Sequence, residues 1–164
     1  MSLAIGNRLP DARLHRLGPE GVRPFSFAEY LAGRKVVLFA VPGAFTSTCS
    51  SVHLPGYVRL AGELRARGVA AIACLAANDP FVMAAWAAAH GAAETIDMLA
   101  DGNGELLAAL GCAADLSGIG LGRRYRRFAA VVDDGVVRAL ELEPERGVTC
   151  SSAASILTLL DSPG

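Results

Sequence analysis

A cysteine stands where a loop of this chain is expected to become a helix. The segment Val41–Ser51 contains Pro42, Thr46 and Cys49, and it follows an apolar run that predicts a buried strand over 36–41. Backbone N–H groups at a helix start have no partners within the helix, and the positive end of the helix dipole lies there. Such a position favours the thiolate, which is the nucleophilic form of cysteine. The sequence therefore predicts a reactive thiol at Cys49.

The same segment supplies a second group that thiol chemistry on a peroxide would need. A thiolate that attacks an O–O bond requires a cation and a hydroxyl nearby, because charge builds on the departing oxygen. Thr46 can supply the hydroxyl, and the arginine-rich run 123–127 is the obvious source of the cation. Pro42 would rigidify the loop and keep water from part of the site. On spacing alone a buried structural cysteine remains the alternative, since free cysteine is often a small core residue.

Length, charge and composition exclude several classes of function. The chain has 164 residues, of which 52% are apolar, and is expected to form a single domain over 1–164. A formal net charge of −1 argues against a nucleic-acid partner, which requires a basic surface. No apolar run approaches the roughly 18–20 residues that span a bilayer, so no membrane association is expected. The N-terminal residues 1–7 lack the features of a signal peptide, and the expected location is therefore the cytoplasm.

The four cysteines are scattered along the chain and form no C-x-x-C pair. They are Cys49, Cys74, Cys112 and Cys150. This spacing argues against a zinc site and against a thioredoxin-type dithiol. It leaves room for chemistry between thiols that are distant in sequence.

The apolar periodicity predicts alternating strands and helices followed by a hairpin. Strands are expected at about 12–17, 36–41, 69–76, 96–100, 124–133 and 136–142. Helices are expected at about 26–32, 48–67, 80–90, 103–110 and 151–160.

Several local signals refine these elements. Ser26 and Glu29 form a capping box, and Asn103 is expected to cap the fourth helix. Pro55 should kink or split the long second helix. The glycine-rich stretch 111–122 is expected to be a surface loop, and the turn 133–135 joins the hairpin.

The order of these elements predicts an α/β fold. Successive βα units followed by an antiparallel hairpin imply a mixed central sheet with helices on both faces. A thioredoxin-like fold fits this order well.

The residues around Cys49 resemble a known family. Pro42, Thr46 and Cys49 have the P-x-x-x-T/S-x-x-C pattern of the peroxiredoxins, and the longer segment through Tyr57 resembles the peroxiredoxin-five, or type II, subfamily. Three further segments are similar to the same family: Asn78–Val82, Leu99–Gly104 and Arg127–Gly135. One position departs from the pattern, because Ser47 stands where this subfamily commonly has proline, and a slightly looser loop is expected.

The resemblance implies a thiol peroxidase that reduces hydrogen peroxide and organic hydroperoxides without metal, haem or flavin. Cys49 would be the peroxidatic cysteine, and Thr46 would hydrogen-bond the thiolate and the bound peroxide. Arg127 would stabilise the thiolate and the departing oxygen, while Pro42 would shield the site. Backbone N–H groups near Thr48 and Cys49 would hold a peroxide oxygen.

The resemblance also suggests how the oxidised cysteine is reduced. Attack on peroxide would leave Cys49 as a sulfenic acid, which a second thiol can convert to a disulfide. Cys150 lies where animal-type members carry their resolving cysteine, and an internal disulfide would require local unwinding of the helix that carries Cys49. Cys74 matches a position used in some plant-type members, although a core strand should leave it inert. Cys112 has no role that the resemblance implies.

Two alternative functions remain open at this point, and so does the choice of reductant. The protein could be a one-cysteine peroxidase that an external thiol resolves, or a thioredoxin-fold redox sensor or holdase without turnover. The resemblance implies thioredoxin, glutaredoxin or glutathione as the reductant, and a homodimer packed through loops near the active site.

Simple structural roles are expected for the neighbouring side chains. His53 should be a hydrogen-bonding residue rather than a base, and Phe81 and Trp86 should belong to the core. Most of the arginines beside Arg127 (Arg123, Arg124 and Arg126) are expected to be exposed at a strand end, and strand alternation lets only one of Arg126 and Arg127 face Cys49.

Overall fold

The computed structural model of the chain describes residues 2–162. Met1, Pro163 and Gly164, which the expected domain 1–164 includes, lie outside the described residues. The strands are β1 (Arg13–Gly18), β2 (Gly21–Ser26), β3 (Lys35–Ala40), β4 (Ala71–Ala76), β5 (Asp97–Ala100), β6 (Ala113–Asp115), β7 (Arg123–Tyr125), β8 (Phe128–Asp133) and β9 (Val136–Leu142). The α-helices are α1 (Phe27–Leu31), α2 (Leu54–Ala66), α3 (Pro80–Ala89), α4 (Glu105–Leu110) and α5 (Ala153–Asp161). A π-helical turn, Cys49–His53, leads directly into α2.

Seven strands form one mixed sheet. Their order is β2-β1-β5-β4-β3-β8-β9, in which β4 pairs parallel with both β3 and β5, and the remaining pairs are antiparallel. The central strand β4 is buried along its whole length, as the continuous apolar run 69–76 predicts. β6 and β7 form a separate two-stranded sheet.

Helices cover both faces of the large sheet, so the predicted α/β, thioredoxin-like arrangement is confirmed. Side chains along β3 alternate between the two faces, as the pleat of a strand requires. Val37 and Phe39 pack in a core with α2, α3 and α5. Val36 and Leu38 pack in a second core with α1 and α4. The site described below lies on the side of the first core.

The long second helix differs from its prediction. The expected helix 48–67 is a π-helical turn followed by α2, and Pro55 lies in the first turn of α2 rather than in its middle. The helical segment therefore changes from π-helix to α-helix next to Pro55, where a kink or split was predicted, and a proline, which has no N–H, is tolerated in the first turn of α2.

Two further predictions need correction. Asn103 does not cap α4; the residue before α4 is Gly104, and the Asp101 carboxylate accepts from the N–H groups of Leu106 and Leu107 at 3.4 and 2.9 Å. The extended run expected at 124–133 is divided, because β7 ends at Tyr125 and pairs with β6 inside the stretch expected to be a loop. The capping box at α1 is confirmed, since Ser26 accepts from the N–H of Glu29 at 3.2 Å.

None of the helices within residues 2–162 has the length and apolar character that crossing a membrane requires.

Candidate active site

The loop after β3 carries the chain to Cys49 at the start of the helical segment. Ser47 and Thr48 are already helical, and the N–H of Ser50 donates to the carbonyl of Thr46 at 3.0 Å. The N–H of Leu54 donates to the carbonyl of Cys49, which closes the π-helical turn. Cys49 therefore lies in the first turn, where backbone N–H groups lack partners within the helix.

The sulfur of Cys49 is completely buried and contacts one guanidinium group. Arg127 lies between β7 and β8, and its Nη2 donates to the Cys49 Sγ at 3.1 Å. Arg127 is itself only 8% exposed. A guanidinium N–H directed at sulfur stabilises negative charge there, and the interaction is strengthened where water is excluded.

His53 holds the other end of the same guanidinium. Arg127 Nη1 lies 2.8 Å from His53 Nδ1, and His53 Nε2 lies 2.9 Å from the carbonyl oxygen of Ser151. Arginine only donates and a carbonyl only accepts, so Nδ1 must accept and Nε2 must carry the proton. Burial, and then the charge of Arg127, lower the pKa of His53 to about 4. His53 is thus a neutral hydrogen-bonding residue, in agreement with its expected structural role.

The Ser151 carbonyl belongs to a turn that is organised by Glu143. The Glu143 Oε1 accepts from the N–H groups of Thr149, Cys150 and Ser151 at 2.7, 2.7 and 2.8 Å. The hydroxyl groups of Thr149 and Ser151 donate to the same carboxylate at 2.6 and 2.8 Å. Burial alone would raise the pKa of Glu143, but these hydrogen bonds outweigh it and hold the pKa at about 2.

The hydroxyl of Thr46 does not point its proton at the cysteine. It donates to the carbonyl of Gly43 at 2.8 Å, which corrects the expected hydrogen bond from Thr46 to the thiolate. The oxygen of this hydroxyl still has lone pairs that can accept a proton from a ligand. Gly43 has little room for a side chain, because a Cβ there would lie 3.0 Å from Arg124 Nη1 and 3.2 Å from Thr46 Cγ2.

Two residues that the sequence did not single out fix this loop. Arg124 Nη1 donates to the carbonyl of Pro42 at 3.2 Å, and its Nε donates to the carbonyl of Leu121 at 2.8 Å. Asn78 Oδ1 accepts from the N–H of Ala44 at 2.9 Å. Arg124 is therefore half-buried against the loop and does not fit the expected exposed strand end. The sequence did carry a signal for Asn78, because this residue begins Asn78–Val82, one of the segments that are similar to the family.

The aromatic residues of α3 behave differently from each other. Trp86 is completely buried, as expected, and its indole Nε1 donates to the hydroxyl of Ser50 at 3.0 Å. Phe81 was expected in the core and is 62% exposed, so that prediction is wrong. The buried residues of α3 are Met83, Trp86 and Ala87, and Phe81 lies two residues before Met83, about 200° away around the helix. The sequence of α3 is apolar on all sides, so it has no polar face that would have distinguished the exposed side.

A cavity of about 370 Å³ opens beside this site. One wall is apolar and the other is polar. The apolar wall consists of Ala114, Leu116, Ile119 and Leu121. The remaining lining includes Pro42, Thr46, Thr48, Arg126, Arg127 and Glu143. The cavity therefore joins the arginine that contacts Cys49 to an apolar surface.

The other three cysteines have distinct environments. Cys74 is completely buried in β4, and burial, followed by the proximity of Cys49, raises its pKa well above the ordinary value. Burial likewise raises the pKa of Cys112 to about 11. Cys150 is partly exposed, and burial and the charge of Glu143 raise its pKa. All four thiols are free, and Cys150 lies in the Glu143 turn rather than against Cys49.

The arrangement is suited to nucleophilic chemistry by a thiol. The structure brings Pro42, Thr46 and Arg127 to the region of Cys49, and it connects Cys150 to them only through the turn at 149–151. Within the described part of the chain, no three His, Cys, Asp or Glu side chains are grouped as metal ligands would be. A guanidinium beside a thiol can stabilise both an attacking thiolate and an oxygen that leaves with negative charge.

Comparisons with known proteins place the chain in a family. The Redoxin family model matches residues 4–157. The chain is 51% identical to Peroxiredoxin-2E-2, chloroplastic, of Oryza sativa subsp. japonica, over 97% of this chain and 73% of that protein. It is 47% identical to Peroxiredoxin-2E, chloroplastic, of Arabidopsis thaliana, over 97% and 70%. The structure of reduced Prx3 from Vibrio vulnificus in complex with hydrogen peroxide superposes with a TM-score of 0.93, at 48% identity, over 97% of this chain and 99% of that one.

These similarities correct one prediction and confirm another. The cytoplasmic location expected from the N-terminal residues is wrong, because both plant relatives are named as chloroplastic proteins. The resemblance to the peroxiredoxins that the motif at Pro42, Thr46 and Cys49 indicated is confirmed. The chain belongs to the redoxin family and, within it, to the peroxiredoxins, so it is a thiol-dependent peroxidase.

Proposed function

We propose that Cys49 is the peroxidatic cysteine that reduces hydrogen peroxide and organic hydroperoxides. The observation that carries this assignment is the 3.1 Å contact between Arg127 Nη2 and the Cys49 Sγ. The thiolate attacks one peroxide oxygen, an S–O bond forms and the O–O bond breaks. The departing hydroxide or alkoxide takes a proton and leaves as water or an alcohol, while Cys49 becomes a sulfenic acid.

Arg127, Thr46 and Pro42 each have a separate role in this step. Arg127 stabilises the thiolate before attack and the charge on the departing oxygen during it. The proton of the Thr46 hydroxyl is engaged by the Gly43 carbonyl, so its lone pairs face a ligand as an acceptor for the peroxide O–H. Pro42 lines the cavity and limits the access of water.

The cavity supports organic hydroperoxides as substrates in addition to hydrogen peroxide. Its apolar wall, Ala114 to Leu121, can bury the carbon skeleton of such a molecule while the peroxide group meets Arg127. Replacing Leu121 by Ser should lower the rate constant with cumene hydroperoxide more than the rate constant with hydrogen peroxide. Equal losses for both substrates would contradict a role of this wall in binding.

Peroxide consumption by the purified protein with dithiothreitol tests the assignment of Cys49. We expect Cys49→Ser to abolish turnover and Arg127→Gln to lower the rate constant by about 10²–10³-fold, the effect of losing one such charge-stabilising donor. Arg138→Gln, an exposed arginine on β9, is the matched control and should leave the rate unchanged. Oxidation of the wild type by one equivalent of peroxide without further turnover would instead favour a sensor or holdase.

We also infer that Cys150 resolves the sulfenic acid through an internal disulfide with Cys49. Cys150 is the partly exposed thiol, whereas complete burial keeps Cys74 in its protonated and inert form. Intact mass after one equivalent of peroxide distinguishes the routes. The wild type should lose two hydrogens, while Cys150→Ser should gain one oxygen. A loss of two hydrogens in Cys150→Ser would exclude Cys150, and a gain of oxygen in the wild type would indicate a one-cysteine peroxidase.

The reductant and the assembly complete the proposal. Thioredoxin, glutaredoxin and glutathione are the candidate reductants, and coupled assays with each would rank them. We infer a homodimer in which apolar side chains near the site are covered, since Phe45 and Ile119 are 56% and 57% exposed. Sedimentation of the wild type and of Phe45→Glu measures this, and a monomeric wild type would contradict the dimer.

A further inference from the structure

We propose that Glu143 is a positioning residue that holds Arg127 against Cys49 by way of Ser151 and His53. This proposal rests on the proposed role of Cys49. Glu143 follows β9 and is only 3% exposed, and its carboxylate is hydrogen-bonded to the turn at 149–151 and not to the Cys49 sulfur. Its influence must therefore pass through the residues between it and Arg127.

The first connection is between Glu143 and the turn at 149–151. Three backbone N–H groups and two hydroxyl groups of this turn donate to one carboxylate. Hydrogen bonds to an ionised acceptor are about twice as strong as those between neutral groups. The position of the turn, including its Ser151, therefore depends on the Glu143 side chain.

The second connection is the carbonyl of Ser151. It accepts from His53 Nε2 at 2.9 Å and from the hydroxyl of Tyr57 at 2.8 Å. Phe39 stacks on Tyr57 with ring centroids 4.0 Å apart and also packs 5.0 Å from the His53 ring. The His53 ring is thus held by packing and by the Ser151 carbonyl, and the carbonyl also selects the tautomer whose Nδ1 accepts.

The third connection is between His53 and Arg127. The two terminal nitrogens of the guanidinium are used separately, one for His53 Nδ1 and one for the Cys49 Sγ. Because the guanidinium is planar and rigid, fixing one nitrogen orients the other. The main chain of Glu143 reinforces this, since its N–H donates to the carbonyl of Arg127 at 3.0 Å.

These contacts form one path from Glu143 to the sulfur. Without the carboxylate charge, the Ser151 carbonyl would be held less firmly. The His53 ring would then lose the acceptor that fixes its tautomer, and Arg127 would lose the group that fixes its orientation. A residue that acts through others in this way should change the rate of peroxide attack even in molecules that are fully folded.

The test is the single-turnover rate constant of Cys49 oxidation by hydrogen peroxide. We expect Glu143→Gln to slow it by about tenfold, the size associated with one charge-assisted hydrogen bond. Glu141→Gln, on the neighbouring strand β9, removes the same charge outside this path and should retain the wild-type rate constant. Ser151→Ala removes one hydroxyl donor to Glu143 and should slow the reaction in the same direction but less, which provides a milder variant if Glu143→Gln does not fold.

A double-mutant cycle separates positioning from general stability. In a His53→Leu background the path is already interrupted, so Glu143→Gln should cause no further loss of rate. The full tenfold loss in that background, or equal rate constants for Glu143→Gln and Glu141→Gln, would overturn the proposal. If Cys49→Ser still turned over peroxide, the proposed function itself would fail, a result that does not depend on either glutamate.

Discussion

At the scale of single residues, His53 is the group whose protonation would disturb the site most. As a neutral ring it accepts from Arg127 and donates to Ser151. A protonated ring would direct two donors outward and place a second positive charge against Arg127. Burial opposes this, and the pKa of His53 falls from 6.5 to about 4 on folding.

This shift predicts how stability changes with pH. The unfolded chain binds a proton at His53 below about pH 6.5, whereas the folded chain does so only below about pH 4. Between these values the unfolded state binds more protons, so the free energy of unfolding should fall as the pH falls from 6.5 to 4. Urea denaturation at several pH values measures this.

Two variants check the origin of the pH effect. His53→Leu should flatten the curve between pH 6.5 and 4, and His15→Asn, a histidine of β1 outside the site, is the matched control. The depressed pKa of Glu143 adds a second loss of stability as the pH falls from 4.5 to about 2, which Glu143→Gln should remove. Parallel curves for the wild type and His53→Leu would contradict the assigned pKa of His53.

The sequence could locate some of these residues and not others, for physical reasons. Pro42, Thr46 and Cys49 are adjacent in one loop, and the need for a cation indicated the arginine run that contains Arg127. Glu143 could not be found in this way because it acts on backbone N–H groups at 149–151, and any sequence presents such groups. Its role depends on where the loop after β9 returns, which periodicity does not specify.

At the scale of elements, the π-helical turn Cys49–His53 is held by contacts from outside its own helix. The hydroxyl of Ser50 accepts from the indole of Trp86, which is buried on α3. Leaving a buried donor without its acceptor costs about 1–3 kcal/mol. The turn and α3 therefore stabilise each other through this hydrogen bond.

Ser50→Ala should lower the free energy of unfolding by about 1–3 kcal/mol, because the Trp86 N–H loses its acceptor. Ser51→Ala is the matched control, since its exposed hydroxyl donates only to the carbonyl of Ser47 one turn earlier, a bond worth little to a helix. Urea denaturation followed by the fluorescence of Trp86, the one tryptophan of the sequence, gives both values. Equal losses for the two variants would show that the Trp86 contact contributes nothing.

Most helices and strands were predictable, and the exceptions share a cause. The buried strand β4 and the capped helix α1 carry their signals within their own residues. The small sheet of β6 and β7 does not, because each strand has only three residues, too few to show a period, and the stretch between them is rich in glycine. The π-helical turn was missed as well, since its five residues are too few for a period of their own and part of its support is the hydrogen bond from Trp86 on α3.

At the scale of the whole molecule, β3 separates two hydrophobic cores, and only one of them contains Cys49. Phe39 faces the core that contains Cys49, Tyr57 and Trp86, whereas Leu38 faces the core behind the sheet. Adjacent residues of one strand therefore allow stability and reactivity to be tested separately.

Leu38→Ala should destabilise the protein by about 2–5 kcal/mol by leaving a cavity in the second core. The reaction of Cys49 with peroxide should keep its wild-type rate constant in the folded molecules, because the sheet lies between this cavity and the site. Phe39→Leu should affect both properties, since it removes the ring that packs on His53 and Tyr57. Urea denaturation and single-turnover kinetics on the two variants provide the comparison. A slower reaction in Leu38→Ala would indicate that the two cores are not independent.

The π-helical turn has a consequence for how the nucleophile is aimed. Its hydrogen bond from Leu54 to Cys49 encloses one residue more than an α-helical turn, so the segment contains in effect a single-residue insertion. Each residue of an α-helix advances the azimuth by about 100°. The additional residue therefore sets the phase between Cys49 and the buried face of α2. Removing it would return the helix to regular phase and rotate the thiol away from the guanidinium that it now meets.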